Sequence, residues 1–160
     1  LAQKYRITDA FNPRRLHPVT GKVRPHNGTD FATPIGTPVL ASADGVVIRV
    51  EKHPYAGRYI EIQHQGQYKS RYLHLRSALV RPGQRVAKGQ RIALSGASGR
   101  VTGAHLHYEL HLNNRPVNPM TADIPLASPL APASRNAFLQ RVAFLQQQMQ
   151  QETLFVQSAP

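Results

Sequence analysis

Glycine sets the grain of this chain. From Val39 to Leu112 no stretch keeps a helical period, while glycines at 36, 45, 57, 66, 83, 89, 96, 99 and 103 recur at strand-plus-turn spacing. Between them the side chains alternate. In "GRYIEIQH" Tyr59, Glu61 and Gln63 stand against Ile60, Ile62 and His64, and "YKSRYLHL" alternates likewise. "PVLASADGVVIRVEKH" sets an Ala-Asp-Gly turn between two apolar runs and predicts a hairpin. "QRVAKGQRIALSG" predicts two more short strands. The fold class expected is mainly β: an antiparallel two-sheet or flattened-barrel arrangement. "PIGTPV" and "RPGQRV" echo one another, as a duplicated hairpin unit would or as similar turns would.

The character changes after Pro116. "NPMTADIPLASPLAPASR" reads as an extended connector. Beyond it Phe138, Val142, Leu145 and Met149 fall on one helical face, with Ser134 as the expected N-cap and the stripe expected to pack on the β part. The organisation predicted is a β domain over 1–121, a connector over 122–133 and a C-terminal amphipathic helix and tail over 134–160.

The 160 residues suffice for a core without a structural metal. There is no Cys, which excludes disulfides, thiolate zinc sites and thiol enzymes. The net charge of +12 lies within residues 1–121, since the remainder balances Arg135 and Arg141 against Asp123 and Glu152. Such a field favours anionic partners. Nucleic acid is not expected among them: the charge is spread along strands and turns, no nucleic-acid motif occurs, and 7% aromatic residues offer little stacking platform. No apolar run is long enough to span a membrane. The opening "LAQKYRITDA" has neither an initiator Met nor an apolar leader, so the chain is expected to be a processed form or a cut-down piece.

Three segments carry the chemistry. "PHNGTDFATP" places His26 and Asp30 four apart in a loop running into a strand. "SRYLHLR" centres on His74. "AHLHYE" places His105 and His107 on one side of a strand. A catalytic zinc takes three ligands from His, Asp and Glu and keeps a place for water. His26, Asp30 and one of His105 or His107 meet that count, leaving two imidazoles for proton transfer and oxyanion stabilisation.

"HNGTDFATPIGTPVLASADG", "YKSRYLHL", "VAKGQRIALSG" and "TGAHLHYEL", in that order, resemble the lysostaphin/LytM family of zinc metallopeptidases, which cleave peptidoglycan cross-links. The resemblance covers roughly residues 8–121. "FNPRRLHPVTGKVRPHNGTDFATPIGTPV" is further similar to the Gram-negative periplasmic murein DD-endopeptidases of the MepM type. The resemblance implies one Zn2+ per chain on His26, Asp30 and His107, with His74 and His105 as non-ligand active-site histidines. It implies hydrolysis of D-Ala–meso-diaminopimelate cross-links in the periplasm or cell envelope of a Gram-negative bacterium. Carboxylate-rich stem peptides would then be the partner of the basic surface, and regulatory N-terminal modules would lie outside this chain. Ala104 departs from a frequent Pro without removing a functional group. A non-catalytic module that activates another hydrolase is the alternative. A lipoyl-like carrier, hinted at by "VAKGQRIALSG", would leave the histidines unexplained.

His17, His53, His64 and His111 match no functional position. His111 shares the parity of His107, about 13 Å along the strand. Glu109 shares that face too and is expected to be a surface carboxylate, with a bond to a ligand histidine as the alternative.

Overall fold

The computed structural model describes residues 5–16, 22–122 and 132–157. Its two compact units are Leu1–Ile124 and Pro125–Pro160. Among the described residues the first holds eleven strands: β1 Ile7–Asp9, β2 Thr29–Phe31, β3 Pro38–Leu40, β4 Gly45–His53, β5 Gly57–Gln63, β6 Tyr68–Leu75, β7 Ser77–Ala78, β8 Arg85–Val86, β9 Arg91–Leu94, β10 Leu106–Leu112 and β11 Arg115–Val117. Every ladder is antiparallel. The main sheet runs β1-β2-β10-β6-β5-β4-β8, with β11 folded back on β10, and a small sheet runs β3-β9-β7. The two-sheet β architecture read from the glycine punctuation is the one observed.

Alternation along β5, β6 and β10 divides the main sheet into two faces. One is apolar: Ile60, Ile62, Tyr72, Leu75 and Leu106 are buried with Val39 and Ile92 from the small sheet. The other carries a polar row, because Glu61 pairs with Arg71 and Arg71 with Glu109 in the strand register. Cross-strand neighbours of opposite charge stabilise one another, so this row adds to the ladder that aligns it.

The hairpin expected around Ala43–Gly45 is not formed. β3 joins β9 in the small sheet, while β4 joins β5 and β8 in the main one. The chain crosses between sheets here, and again between β8 and β9. The two crossings hold each other: Gly89 N–H donates to the Ala41 carbonyl (2.8 Å), Ala41 N–H to the Gln90 carbonyl (2.9 Å) and Lys88 N–H to Asp44 Oδ1 (2.7 Å). Asp44 thus caps a neighbouring connection instead of closing a tight turn. The echo of "PIGTPV" and "RPGQRV" is one of turns. Thr37 N–H bonds Pro34 and Gln84 N–H bonds Arg81, with Gly36 and Gly83 at φ +91° and +83°. A type II turn demands that left-handed residue. The strands that follow, β3 and β8, lie in different sheets.

In the second unit, α1 spans Pro132–Gln157. It starts two residues before the expected cap Ser134, with Pro132 in the first turn, where a missing N–H costs nothing. Of the apolar stripe, Phe138, Leu145 and Met149 are exposed and Val142 is half-buried. Leu139 and Phe144 lie off that stripe and are exposed as well, so the apolar residues spread around the axis. Most of the expected connector and His17 lie outside the described residues. Among the described residues no helix is long and apolar enough to cross a membrane.

Candidate metal centre

Strand register builds the site. β2 pairs with the first half of β10 and sets Asp30 directly opposite His107. His26 approaches from the segment before β2, where an antiparallel bridge to Asn12 holds its backbone. His26 Nε2 lies 3.2 Å from Asp30 Oδ1 and 3.2 Å from His107 Nδ1, and His107 Nδ1 lies 2.6 Å from Asp30 Oδ1.

The outer ring nitrogens fix the tautomers. His26 Nδ1–H donates to the Ala10 carbonyl (2.8 Å), which leaves Nε2 as a lone pair. His107 Nε2–H donates to Glu109 Oε1 (3.1 Å), which turns Nδ1 toward Asp30 and, in the neutral ring, leaves it as a lone pair. Two lone pairs and a carboxylate oxygen therefore converge and repel unless a proton or a cation sits among them. Burial lowers the pKa of His107, but bonds to Asp30 and Glu109 outweigh it and raise it to about 9. Burial likewise pushes the Asp30 carboxyl up, and His107 and His26 overcome this to hold it well below the usual carboxylate range. The trio attracts positive charge. Two imidazole nitrogens and a carboxylate oxygen are the donor chemistry that zinc takes, so the donor set fits that ion.

His74 and His105 flank the trio. Their rings are 4.8 Å apart, and the His74 ring is 6.0 Å from that of His107. His74 Nδ1–H donates to the Ser98 carbonyl (2.9 Å) and His105 Nδ1–H to the Gly103 carbonyl (2.9 Å), so among the described residues neither Nε2 has a hydrogen-bond partner. His105 Nε2 lies 3.9 Å from Asp30 Oδ1. Burial lowers the pKa of His74, and the neighbouring His105 and His107 add to that.

His74 reaches the site by a local irregularity. Strict alternation from Tyr72 would aim it into the apolar core. Between the pairs Arg58↔Leu75 and Ile60↔Tyr72, β6 spends one more residue than β5, which is a bulge, and His74 sits in it at φ +61°. Bulges re-aim side chains, and a non-glycine residue in the left-handed region marks a position whose surroundings enforce it. The sequence carries no glycine signal for this.

Glu109 is the residue the sequence undervalued. The expected surface carboxylate is 5% exposed. Besides His107 it accepts from Arg71 Nη1 (2.8 Å) and His111 Nε2 (2.8 Å). Burial would push its pKa up, but His107 and His111, with the charge of Arg71, hold it well below the carboxylate range. His111, half-buried, thus serves Glu109 and not the cleft. The other bland histidines separate: His53 is exposed, while His64 is buried, bonded to the Asp44 carbonyl (2.8 Å) and 2.7 Å from the Ser70 hydroxyl. Gly28 lets β10 approach closely, for a Cβ there would lie 2.4 Å from the Tyr108 carbonyl and 2.8 Å from His107 Nε2.

The five residues that the sequence singled out therefore line one open cleft of about 730 Å³, which also includes Arg6, Arg100 and the 101–104 loop. Residues 24–119 match Peptidase family M23.

The chain belongs to this family.

Within M23 it resembles several proteins from Vibrio cholerae. It is 64% identical over 125 residues to the peptidoglycan DD-endopeptidase ShyA, covering 78% of this chain and 29% of that protein. It is 59% identical over 137 residues to the peptidoglycan DD-endopeptidase ShyB, covering 86% and 32%. The crystal structure of a zinc containing peptidase from the same organism matches with TM-score 0.74 and 62% identity, covering 76% of this chain and 37% of that one. The catalytic domain of lysostaphin from Staphylococcus simulans matches with TM-score 0.64 and 30% identity, covering 72% and 90%. The chain spans about a third of the length of those two curated relatives. M23 membership, the zinc-containing neighbour and the His26–Asp30–His107 cluster together support a metal cofactor.

Proposed function

We propose that this chain is a zinc-dependent endopeptidase that hydrolyses D-Ala–meso-diaminopimelate cross-links of peptidoglycan in the periplasm or cell envelope of a Gram-negative bacterium. One observation carries the reading: two histidine lone pairs and a carboxylate oxygen meet within 4.8 Å of one another, beside two further imidazoles with a free Nε2. ShyA and ShyB, both named peptidoglycan DD-endopeptidases, support the substrate.

His26, Asp30 and His107 would hold one zinc per chain. Bound there, zinc supplies Lewis acidity, polarising the scissile carbonyl and acidifying water. The protein's own groups handle the protons. With Nδ1–H committed to a backbone carbonyl, His74 and His105 each turn Nε2 to the cleft. One accepts a proton from the attacking water. The other, protonated, faces the developing oxyanion, and the leaving amine takes up the proton that water has lost. The carbonyl bonds fix ring orientation in advance, so no reorientation is needed as charge develops.

Digestion of purified sacculi, with and without a chelator, tests this. The products expected are uncross-linked stem peptides ending in D-Ala, identified by mass, and their loss in chelator. Intact cross-links in the presence of zinc would favour the alternative of a non-catalytic module.

A further inference from the structure

Four arginines line the clefts that meet at the site. Arg6, Arg15 and Arg100 border the larger one, while Arg71 and Arg100 border an adjoining one of about 380 Å³. Arg15 is ion-paired with Asp9, and Arg71 lies 2.8 Å from Glu61 and from Glu109. Among the described residues, neither Arg6 nor Arg100 has a carboxylate within ion-pairing distance. Of these two, Arg100 alone borders both clefts, in each case with His74 and His107.

The backbone of Arg100 is held in place. Its N–H donates to the Tyr55 carbonyl (2.9 Å), and its guanidinium lies 5.8 Å from the centroid of the Tyr55 ring. Two residues earlier, Ser98 accepts from His74 Nδ1–H through its carbonyl, and its hydroxyl accepts from Arg58 N–H (2.9 Å). The segment that orients His74 therefore also sets where Arg100 starts. A guanidinium placed over an aromatic ring keeps its N–H groups available to bond.

The proposed substrate has a matching need. Diaminopimelate carries an amino and a carboxyl group at each end. When one amino group forms the cross-link, the carboxylate on the same carbon stays free, next to the leaving nitrogen. That charge must enter a cleft which already holds Asp30. We propose that Arg100 is a specificity-determining residue, which takes the substrate carboxylate flanking the leaving nitrogen in a charge-assisted, forked hydrogen bond. The assignment rests on the endopeptidase reading above.

The test uses two soluble cross-linked stem-peptide dimers, alike except that this carboxylate is free in one and amidated in the other. The zinc-loaded chain is expected to prefer the free acid. Arg100→Gln is expected to lose about ten- to a hundred-fold in kcat/KM on the free acid, the range for a hydrogen bond to a charged group. On the amide it should match the unsubstituted chain, and Arg100→Lys should recover part of the preference. Zinc content should stay unchanged in both variants. An unsubstituted chain that cleaves acid and amide equally would overturn the assignment and leave the endopeptidase reading standing. Equal loss on both dimers in Arg100→Gln would also overturn it. Cleavage of neither dimer by the unsubstituted chain would overturn the endopeptidase reading, and this assignment with it.

Discussion

His107 stands directly opposite Asp30 across β10 and β2, and its other ring nitrogen is 3.1 Å from Glu109. One imidazole thus links the proposed ligand set to a buried carboxylate. That carboxylate is in turn tied to Arg71 and His111.

Glu109→Ala is expected to weaken zinc binding about 10–100-fold, the usual cost of losing an outer partner of a ligand histidine. It should also destabilise the fold by about 1–3 kcal/mol, the cost of leaving a buried partner unsatisfied, since Arg71 keeps Glu61. Glu109→Gln keeps an acceptor for His107 and should recover most of the zinc affinity. Zinc dissociation constants and urea unfolding measure the two effects separately. Unchanged affinity in Glu109→Ala would remove Glu109 from this role. His111→Ala, one step further out, should cost little activity.

Gly28→Ala should damage both stability and metal binding. The added methyl meets a backbone carbonyl, which cannot swing away, and the nitrogen through which His107 bonds Glu109. Strain of this kind costs ~1–3 kcal/mol. A variant as stable and as zinc-avid as the unsubstituted chain would show that β10 can give way here.

The apo protein should stay folded, because its core lies on the face of the main sheet opposite the site and needs no metal. Circular dichroism before and after chelation checks this. Unfolding on chelation would make the metal structural.

His64 gives a pH dependence separate from the site. Burial lowers its pKa below the ordinary 6.5, against bonding to the Asp44 backbone. Below about 6.5 the unfolded chain takes up a proton that folded His64 refuses, so the unfolded state binds more protons. The stability His64 contributes is therefore whole above that pH and declines as pH falls toward the folded value. His64→Gln should flatten that part of the curve, as read from denaturation midpoints between pH 7.5 and 5.5. Parallel curves for the two proteins would count against a buried, neutral His64.

Much of this was legible in the sequence because it depends on period and local turn chemistry. The strands of the main sheet follow from alternation, and the shared side of His105 and His107 follows from strand parity. Three features depended on pairing partners, which a single chain's pattern does not carry. Asp44 looked like a hairpin turn because its partner, the Lys88 amide, is 44 residues away. His74 had core parity, and only the bulge against β5 turns it outward. Glu109 looked solvated because its burial comes from Arg71 and His111 around it. Residue type and spacing single out the five candidate residues, the family resemblance assigns their roles, and the bulge explains why alternation alone would misplace His74.

Sacculus binding should weaken as salt rises, since the basic excess lies in the part that carries the site and exposed charges are screened over ~8–10 Å near physiological ionic strength. Pelleting assays across a salt series would show it. Salt-independent binding would count against electrostatic steering and leave the catalytic reading untouched.

The most direct test of the central claim pairs zinc content with cross-link cleavage in His105→Ala and His107→Ala. The two imidazoles lie in one cleft, but only His107 belongs to the convergent trio. His107→Ala should lose zinc and activity together. His105→Ala should keep about one zinc per chain and lose at least ~100-fold in cleavage, the lower end for an acid–base or oxyanion group. Full cleavage by His105→Ala, or loss of its zinc, would contradict this division of the site.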